Sequence, residues 1–136
     1  MSILLIAEHN NSNLKAFTLN TITAASKINK EIHILVAGSK CENVAKELSL
    51  IPLVKKVLYC DSPNYENFLP ENLTSLIVKL SEPYSHIIAS ANTFGKNFMP
   101  RVAALMDVSQ ISDVIKINKT DEFLRPIYAG NAFSTV

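Results

Sequence analysis

Short apolar runs alternate with helix-patterned segments along most of the chain. Residues 3–7 and 32–37 are continuous apolar runs of the kind found in strands buried on both faces, and residues 57–59 and 86–89 suit two further strands. Each run is followed by a segment with apolar residues at three- and four-residue spacing, as in an amphipathic helix. Four strand–helix units in succession predict a doubly wound α/β domain, with a mostly parallel sheet and helices on both faces.

Start signals accompany the first two predicted helices. The first helix is expected to bury one face, with Ser12 or Asn13 as its N-terminal cap; that face consists of Leu14, Phe17, Thr21, Ala25 and Ile28. Ser39 and Glu42 have the spacing of a capping box, which predicts a second helix that continues to about Leu48.

The later helices are patterned in the same way. The third is predicted to bury one face and to end before Pro83; that face consists of Leu73, Leu76, Ile77 and Leu80. The stretch from His86 to Val108 combines a strand, a polar turn at residues 90–95 and a fourth helix. This helix is predicted to begin near Lys96, with Pro100 in its first turn, where no intrahelical N–H is needed.

The pattern changes after the fourth helix. Polar and apolar residues alternate over residues 113–118, turn-forming residues occupy 119–122, and residues 123–129 are again strand-like. This predicts an antiparallel β-hairpin at the end of the α/β unit. Residues 131–136 indicate the beginning of another strand.

The carboxyl ends of the predicted parallel strands should meet at one edge of the sheet, where ligands of such folds usually bind. The loops expected there are residues 8–13, 38–40, 61–65 and 90–95. The turn after the first strand contains no glycine, which argues against a dinucleotide fingerprint, and no phosphate loop surrounds Gly95 and Lys96.

One weaker anion-site candidate remains at the start of the fourth helix. Thr93, Gly95 and Lys96 could bind an anion there through free backbone N–H groups and the helix dipole. The alternative is that Thr93 or Asn92 caps the helix, Gly95 permits a turn, and Lys96 is solvated.

Composition excludes several classes of function. The chain has 136 residues, of which 48% are hydrophobic, so we expect one domain spanning residues 1–136. Thirteen basic and twelve acidic residues give a net charge of +1, which disfavours a nucleic-acid partner. The apolar runs are too short to insert in a membrane, and the amino terminus does not resemble a secretory signal, so we expect a cytoplasmic location.

Residues that could carry catalysis or bind a metal are sparse. Cys41 and Cys60 lack the spacing of a zinc or dithiol motif, so neither a metal site nor a redox pair is predicted. His33 and His86 lie beside strands and are expected to be structural, whereas His9 lies on the ligand edge and could be either structural or functional. With no recognisable nucleophile or acid–base pair, we expect no catalytic residues and a chain that is not an enzyme.

Three blocks of the sequence together resemble the N-terminal domain of the electron-transfer flavoprotein alpha subunit. They are ILLIAEHN, followed by LKAFTLNTITAAS; HIIASANTFGKNFMPRVAALMDVSQISDV; and RPIYAGNAFSTV. The most specific pattern is N-T-F-G-K at residues 92–96, and its continuation is Pro100, Arg101, Ala103, Ala104, Asp107 and Val108.

The resemblance implies a Rossmann-like fold of the adenine-nucleotide-hydrolase type and a scaffold and docking role in an alpha–beta heterodimer. The full heterodimer would carry electrons on FAD from flavin dehydrogenases to a membrane quinone oxidoreductase, in the bacterial cytoplasm or, in a eukaryote, in the mitochondrial matrix. The FAD would be bound mainly by a C-terminal domain, so no cofactor is expected on this chain, and the reading frame is expected to continue past Val136. The alternative is a free-standing adenine-nucleotide-binding module of the universal-stress-protein type.

Overall fold

Four parallel strands form the central sheet. They are β1 (Ile3–Ile6), β2 (Ile32–Gly38), β3 (Val54–Asp61) and β4 (His86–Ile88), arranged in the order β3-β2-β1-β4. The computed structural model describes residues 2–90, 93–108, 110, 116–119, 122–127 and 132–135. The apolar runs identified in the sequence coincide with these strands, although β3 begins three residues earlier and ends two residues later than predicted.

Helices cover both faces of this sheet. They are α1 (Ala16–Ala25), α2 (Glu42–Ser49), α3 (Pro70–Leu80) and α4 (Thr93–Met106), and a short 3-10 turn (Pro63–Tyr65) precedes α3. Because strand side chains alternate, Ile3 and Leu5 pack with α1 and α2, whereas Leu4 and Ile6 pack with α3 and α4. The doubly wound α/β fold predicted from the sequence is therefore confirmed.

The apolar face predicted for α3 is also confirmed. Leu73 and Ile77 are buried in the second core, and Leu76 and Leu80 pack against them. No helix in the described part of the chain is long and apolar enough to cross a membrane.

A second, antiparallel sheet follows the α/β unit. Its strands are β5 (Lys116–Lys119), β6 (Glu122–Ile127) and β7 (Ala132–Thr135), in that order. The antiparallel pairing of β5 with β6 is what the predicted hairpin requires. Residues 120 and 121, which would form the turn, lie outside the described residues, so the hairpin itself stays a prediction.

The predicted cap of α1 is wrong, and its predicted face is confirmed only in part. The helix begins at Ala16, so Lys15 rather than Ser12 or Asn13 is at the N-cap position, and it makes no side-chain cap. The backbone N–H groups of Ser12 and Asn13 bind Asn10 Oδ1 in the preceding loop. The buried face consists of Thr18, Ile22 and Ala25, whereas Phe17 is 59% exposed. Of the predicted face, Ala25 lies in the core, and Leu14 and Ile28 pack against it.

The predicted start of α4 is also wrong. The helix begins at Thr93 rather than near Lys96, so Pro100 is its eighth residue and lies inside it. Gly95 is helical and buried instead of shaping a turn. A Cβ at this position would overlap the carbonyl oxygen of Ser90, so glycine is required by close packing.

Candidate functional site

The carboxyl edge of the parallel sheet brings together the described parts of the loops that the sequence predicted would meet there; residues 91 and 92, and with them Asn92 as a possible cap, lie outside the described residues. We use "carboxyl edge" for residues 7–13, 38–41, 61–69 and 89–90, which follow β1, β2, β3 and β4. Because α1 and α4 lie on opposite faces, the chain switches faces between β1 and β4. In open α/β sheets, such a switch point is the usual place for a ligand.

Asn11 connects three loops of the carboxyl edge. Its Oδ1 accepts a hydrogen bond from the Ser39 backbone N–H at 2.9 Å, and its Nδ2 donates to the Glu66 carbonyl oxygen at 3.1 Å. The Asn11 backbone has φ of 72°, in the left-handed region that asparagine tolerates better than most residues. The loop after β1 is thus tied to the loops after β2 and β3.

His9 is buried beneath these loops and is only 3% exposed. Its Nε2 lies 3.0 Å from the Ala37 carbonyl oxygen and must be the donor, because a carbonyl only accepts. Its Nδ1 then accepts from the Asn11 backbone N–H at 2.9 Å, so the neutral ring uses both nitrogens. Burial lowers the pKa of His9. Of the two roles left open by the sequence, these contacts favour the structural one.

Asp61 binds the backbone at the start of α2. Its carboxylate accepts from the N–H groups of Lys40, at 2.9 Å, and Cys41, at 3.2 Å. The Tyr59 hydroxyl donates to the same carboxylate at 2.6 Å, which, together with the Lys40 contact, lowers the pKa of Asp61. The same hydrogen bond raises the pKa of Tyr59 to about 12.

The capping box predicted for α2 is therefore wrong. Cys41 occupies the N-cap position without a side-chain cap, and Ser39 lies two residues further out, where its N–H binds Asn11. Lys40 has φ of 54°, so the backbone turns sharply between Ser39 and the helix. A carboxylate from β3 takes the place that the Ser39 hydroxyl was predicted to fill.

In the turn after β2, the backbone N–H groups of residues 39–41 are consequently all bound to side chains. Successive N–H groups in such a turn, at the start of a helix, are the groups that bind phosphate in nucleotide-binding α/β proteins. Here their partners are Asn11 and Asp61. Gly38 permits the close approach, because a Cβ there would overlap Asn11 Oδ1 and lie 2.7 Å from His9 Cε1.

The switch point between β1 and β4 is bridged by side chains. Thr21 Oγ1 of α1 and Ser90 Oγ, after β4, are 2.8 Å apart. Of the three anion-site candidates, Thr93 is the first residue of α4, Gly95 is buried, and Lys96 is exposed. The structure places all three in the first four residues of α4, and the anion site itself stays a prediction.

The other two histidines lie at the opposite, amino edge of the sheet. His33 Nε2 donates to Glu31 Oε2 at 2.7 Å, and its Nδ1 lies 2.9 Å from the Tyr84 hydroxyl. His86 Nδ1 lies 2.8 Å from Ser85 Oγ. These contacts join β2 and β4 to neighbouring turns, which fits a structural role for both histidines. Within the described ranges, no group of three or more histidine, cysteine or acidic residues could hold a metal ion.

A crevice of about 400 Å³ lies between α3 and α4. It is lined by Glu71, Thr74, Ser75, Arg101, Ala104 and Leu105. Arg101 Nη1 donates to Glu71 Oε1 at 3.1 Å, so Arg101 of α4 contacts the neighbouring helix α3. Both charged side chains are more than half exposed, and such surface pairs contribute little to stability.

Comparison with known proteins identifies relatives over the whole chain. The profile of the electron transfer flavoprotein domain family matches residues 3–136. An electron transfer flavoprotein subunit alpha from Pseudomonas aeruginosa is 53% identical over 136 residues, which cover 100% of this chain and 44% of that protein. A mitochondrial subunit alpha from Dictyostelium discoideum is 51% identical over 141 residues, covering 98% and 40% respectively.

A third relative gives the same picture. The subunit alpha from Paracoccus denitrificans is 43% identical over 136 residues, covering 100% of this chain and 44% of its own length. The chain therefore spans less than half the length of the curated relatives that it matches.

Proposed function

Since the chain belongs to the electron transfer flavoprotein domain family, we propose that it is the N-terminal scaffold and docking domain of an electron transfer flavoprotein alpha subunit. It would pair with a beta subunit, and residues 1–136 would form a single domain. The complete heterodimer would hold FAD and pass electrons from flavin dehydrogenases to a membrane quinone oxidoreductase. We place it in the bacterial cytoplasm or, in a eukaryote, in the mitochondrial matrix.

The observation that carries the scaffold role is the occupied turn after β2. A flavin or adenine nucleotide binding there through its pyrophosphate would have to displace the Asn11 amide from Ser39 and the Asp61 carboxylate from Lys40 and Cys41. Each displacement leaves a group of the protein without its partner, which typically costs about 1–3 kcal/mol. These contacts weigh against a flavin at the turn after β2, and we propose that another part of the complete protein binds the flavin.

The same observation weighs against the alternative, a free-standing adenine-nucleotide-binding module. Such a module needs backbone donors that are free to face a phosphate. In this chain, Asn11 and Asp61 supply internal acceptors at that place, and the Thr21 and Ser90 hydroxyls meet across the switch point. The fold is Rossmann-like, but the backbone N–H groups of residues 39–41 are already bound by the chain's own side chains.

Two binding measurements test the proposal. In the first, the 136-residue chain is titrated with FAD, AMP and ADP by calorimetry, beside an apo heterodimer with a full-length alpha subunit as the positive control. We expect FAD to bind the heterodimer and no ligand to bind the isolated chain. Saturable binding to the isolated chain tighter than about 10 μM, or roughly 7 kcal/mol, would contradict the scaffold role and support the nucleotide-binding module.

The second measurement tests docking. The chain is co-expressed with the beta subunit of the same organism, and one partner carries an affinity tag. We expect the untagged partner to co-purify in a stoichiometric complex. If the folded chain elutes alone in both tag arrangements, the docking role is wrong.

A further inference from the structure

We propose that His9 is an acid-sensitive latch that holds the loops after β1, β2 and β3 together. This property goes beyond the proposed scaffold function and does not depend on it. It rests on the geometry of one buried imidazole and on the hydrogen bonds that follow from it.

The latch depends on the hydrogen bond from the Asn11 backbone N–H to His9 Nδ1, at 2.9 Å. Only a neutral ring can accept this bond, because Nε2 already carries the proton that is donated to the Ala37 carbonyl oxygen. Protonation of Nδ1 would put two donors against each other, while the Ala37 bond would remain. Acid therefore breaks one specific contact.

Loss of this contact reaches the other loops through Asn11. Its left-handed backbone is held by the His9 bond, and its side chain binds Ser39 on one side and Glu66 on the other. The Phe68 ring also contacts His9 edge-on, with centroids 5.1 Å apart, and Phe68 itself has φ of 54°. A movement of the His9 ring thus affects both sides of the loop cluster.

The loops that meet at His9 carry several charged or titratable residues. They are Glu8 beside His9, Lys15 before α1, Lys40 and Cys41 after β2, Asp61 at the end of β3, and Glu66 before α3. The ring is nevertheless bonded to backbone groups of Ala37 and Asn11, and burial is the largest influence on its pKa, which it lowers. The closed arrangement is accordingly the neutral-pH state, and acid opens it.

Amide hydrogen exchange measured by NMR on the whole 136-residue chain tests the latch. Protection of the Asn11 and Ser39 amides, corrected for the intrinsic pH dependence of exchange, is followed from about pH 7.5 to about pH 4.5, which brackets the ordinary histidine pKa of about 6.5. We expect protection to fall by up to tenfold per pH unit below the His9 midpoint, because one proton is linked to opening. The Ile3 amide donates to the backbone carbonyl oxygen of Glu31 at 2.9 Å. It should keep its protection, and it serves as the reference for global unfolding.

Two variants and one further measurement separate His9 from its neighbours. In His9→Gln, the acid midpoint of Ser39 exchange should disappear, whereas in Asp61→Asn it should persist. The opposite pattern assigns the opening to Asp61 and overturns the proposal. If His9→Gln does not fold, the wild-type imidazole is titrated through its ring nitrogen shifts. A ring midpoint that differs from the Ser39 exchange midpoint, or simultaneous loss of protection at Ile3, also overturns the proposal.

Discussion

Asn11 Oδ1 accepts a hydrogen bond from the backbone N–H of Ser39 across 2.9 Å, and so joins the loop after the first strand to the loop after the second. The amide occupies a place that a ligand phosphate takes in many related folds. Asp61 binds the next two N–H groups in the same way. The backbone N–H groups of residues 39–41 thus bind side chains of the same chain instead of facing a ligand.

Replacement of Asn11 by alanine should lower the free energy of unfolding by about 2–3 kcal/mol. The change removes both side-chain bonds, leaving Ser39 N–H and the Glu66 carbonyl without this partner, and it places alanine, which tolerates the left-handed region less well than asparagine, at φ of 72°. Urea unfolding at pH 7 measures the loss. Asn11→Gly is the matched control, because it removes the same bonds but tolerates the left-handed backbone, and it should be about 1 kcal/mol more stable than Asn11→Ala. Equal stability of the two variants would contradict the backbone conformation.

Asp61 should make the stability of the chain depend on pH in the acid range. Its pKa in the folded protein lies below the ordinary value of 3.8, because Tyr59 and the Lys40 N–H favour the carboxylate. Its contribution is therefore present above the unfolded-state pKa and is lost as the pH falls through the folded-state pKa. Urea midpoints measured from pH 7 downwards should show a smaller acid loss in Asp61→Asn than in the wild type. An acid loss in Asp61→Asn equal to that of the wild type would refute the assignment.

Ile22 and Phe17 should differ sharply in their effect on stability. Ile22 is 1% exposed in the core between α1 and the sheet, whereas Phe17 is 59% exposed. Ile22→Ala should cost about 2–5 kcal/mol, and Phe17→Ala about 0.5 kcal/mol or less. Chemical denaturation of the two variants side by side measures the difference. A loss in Phe17→Ala as large as that in Ile22→Ala would contradict the burial of Ile22 and the exposure of Phe17.

The sequence contains enough information for the strands, because continuous apolar runs such as residues 3–7 occur when both faces of a strand are covered. It contains less for the helix starts. At α1, the Asn10 side chain binds the amides of Ser12 and Asn13, and this local competition delays the helix. At α4, close packing of Gly95 on Ser90 lets the helix begin before Lys96. Both effects depend on loop hydrogen bonds or tertiary packing, which the spacing of apolar residues does not reveal.

The hydrogen bonds of the carboxyl edge could not be predicted from the sequence for a related reason. The order of strands and helices predicts the carboxyl edge and predicts that Asp61 lies on it. The pairing of Asp61 with residues 40 and 41, and of Asn11 with Ser39, joins residues about twenty or more positions apart. An asparagine that follows the first strand and a glycine that ends the second are the only signals in the sequence, and neither specifies its partner. Local patterns such as Ser39 and Glu42 therefore predicted a different cap.

Gly95→Ala should destabilise the chain even though alanine is the better helix former. In an exposed helix, this change would stabilise by about 1 kcal/mol. At position 95, however, the new Cβ would overlap the Ser90 carbonyl oxygen and lie 3.4 Å from Ala89 Cβ, and a backbone atom cannot move aside as a flexible side chain can. Overpacking of this kind typically costs about 1–3 kcal/mol, so we expect a net loss. Urea unfolding measures it, with Asn97→Ala at an exposed position of the same helix as the control that should change stability by about 0.5 kcal/mol or less. If Gly95→Ala were as stable as the control, the contact between the start of α4 and the end of β4 would not be as close as described.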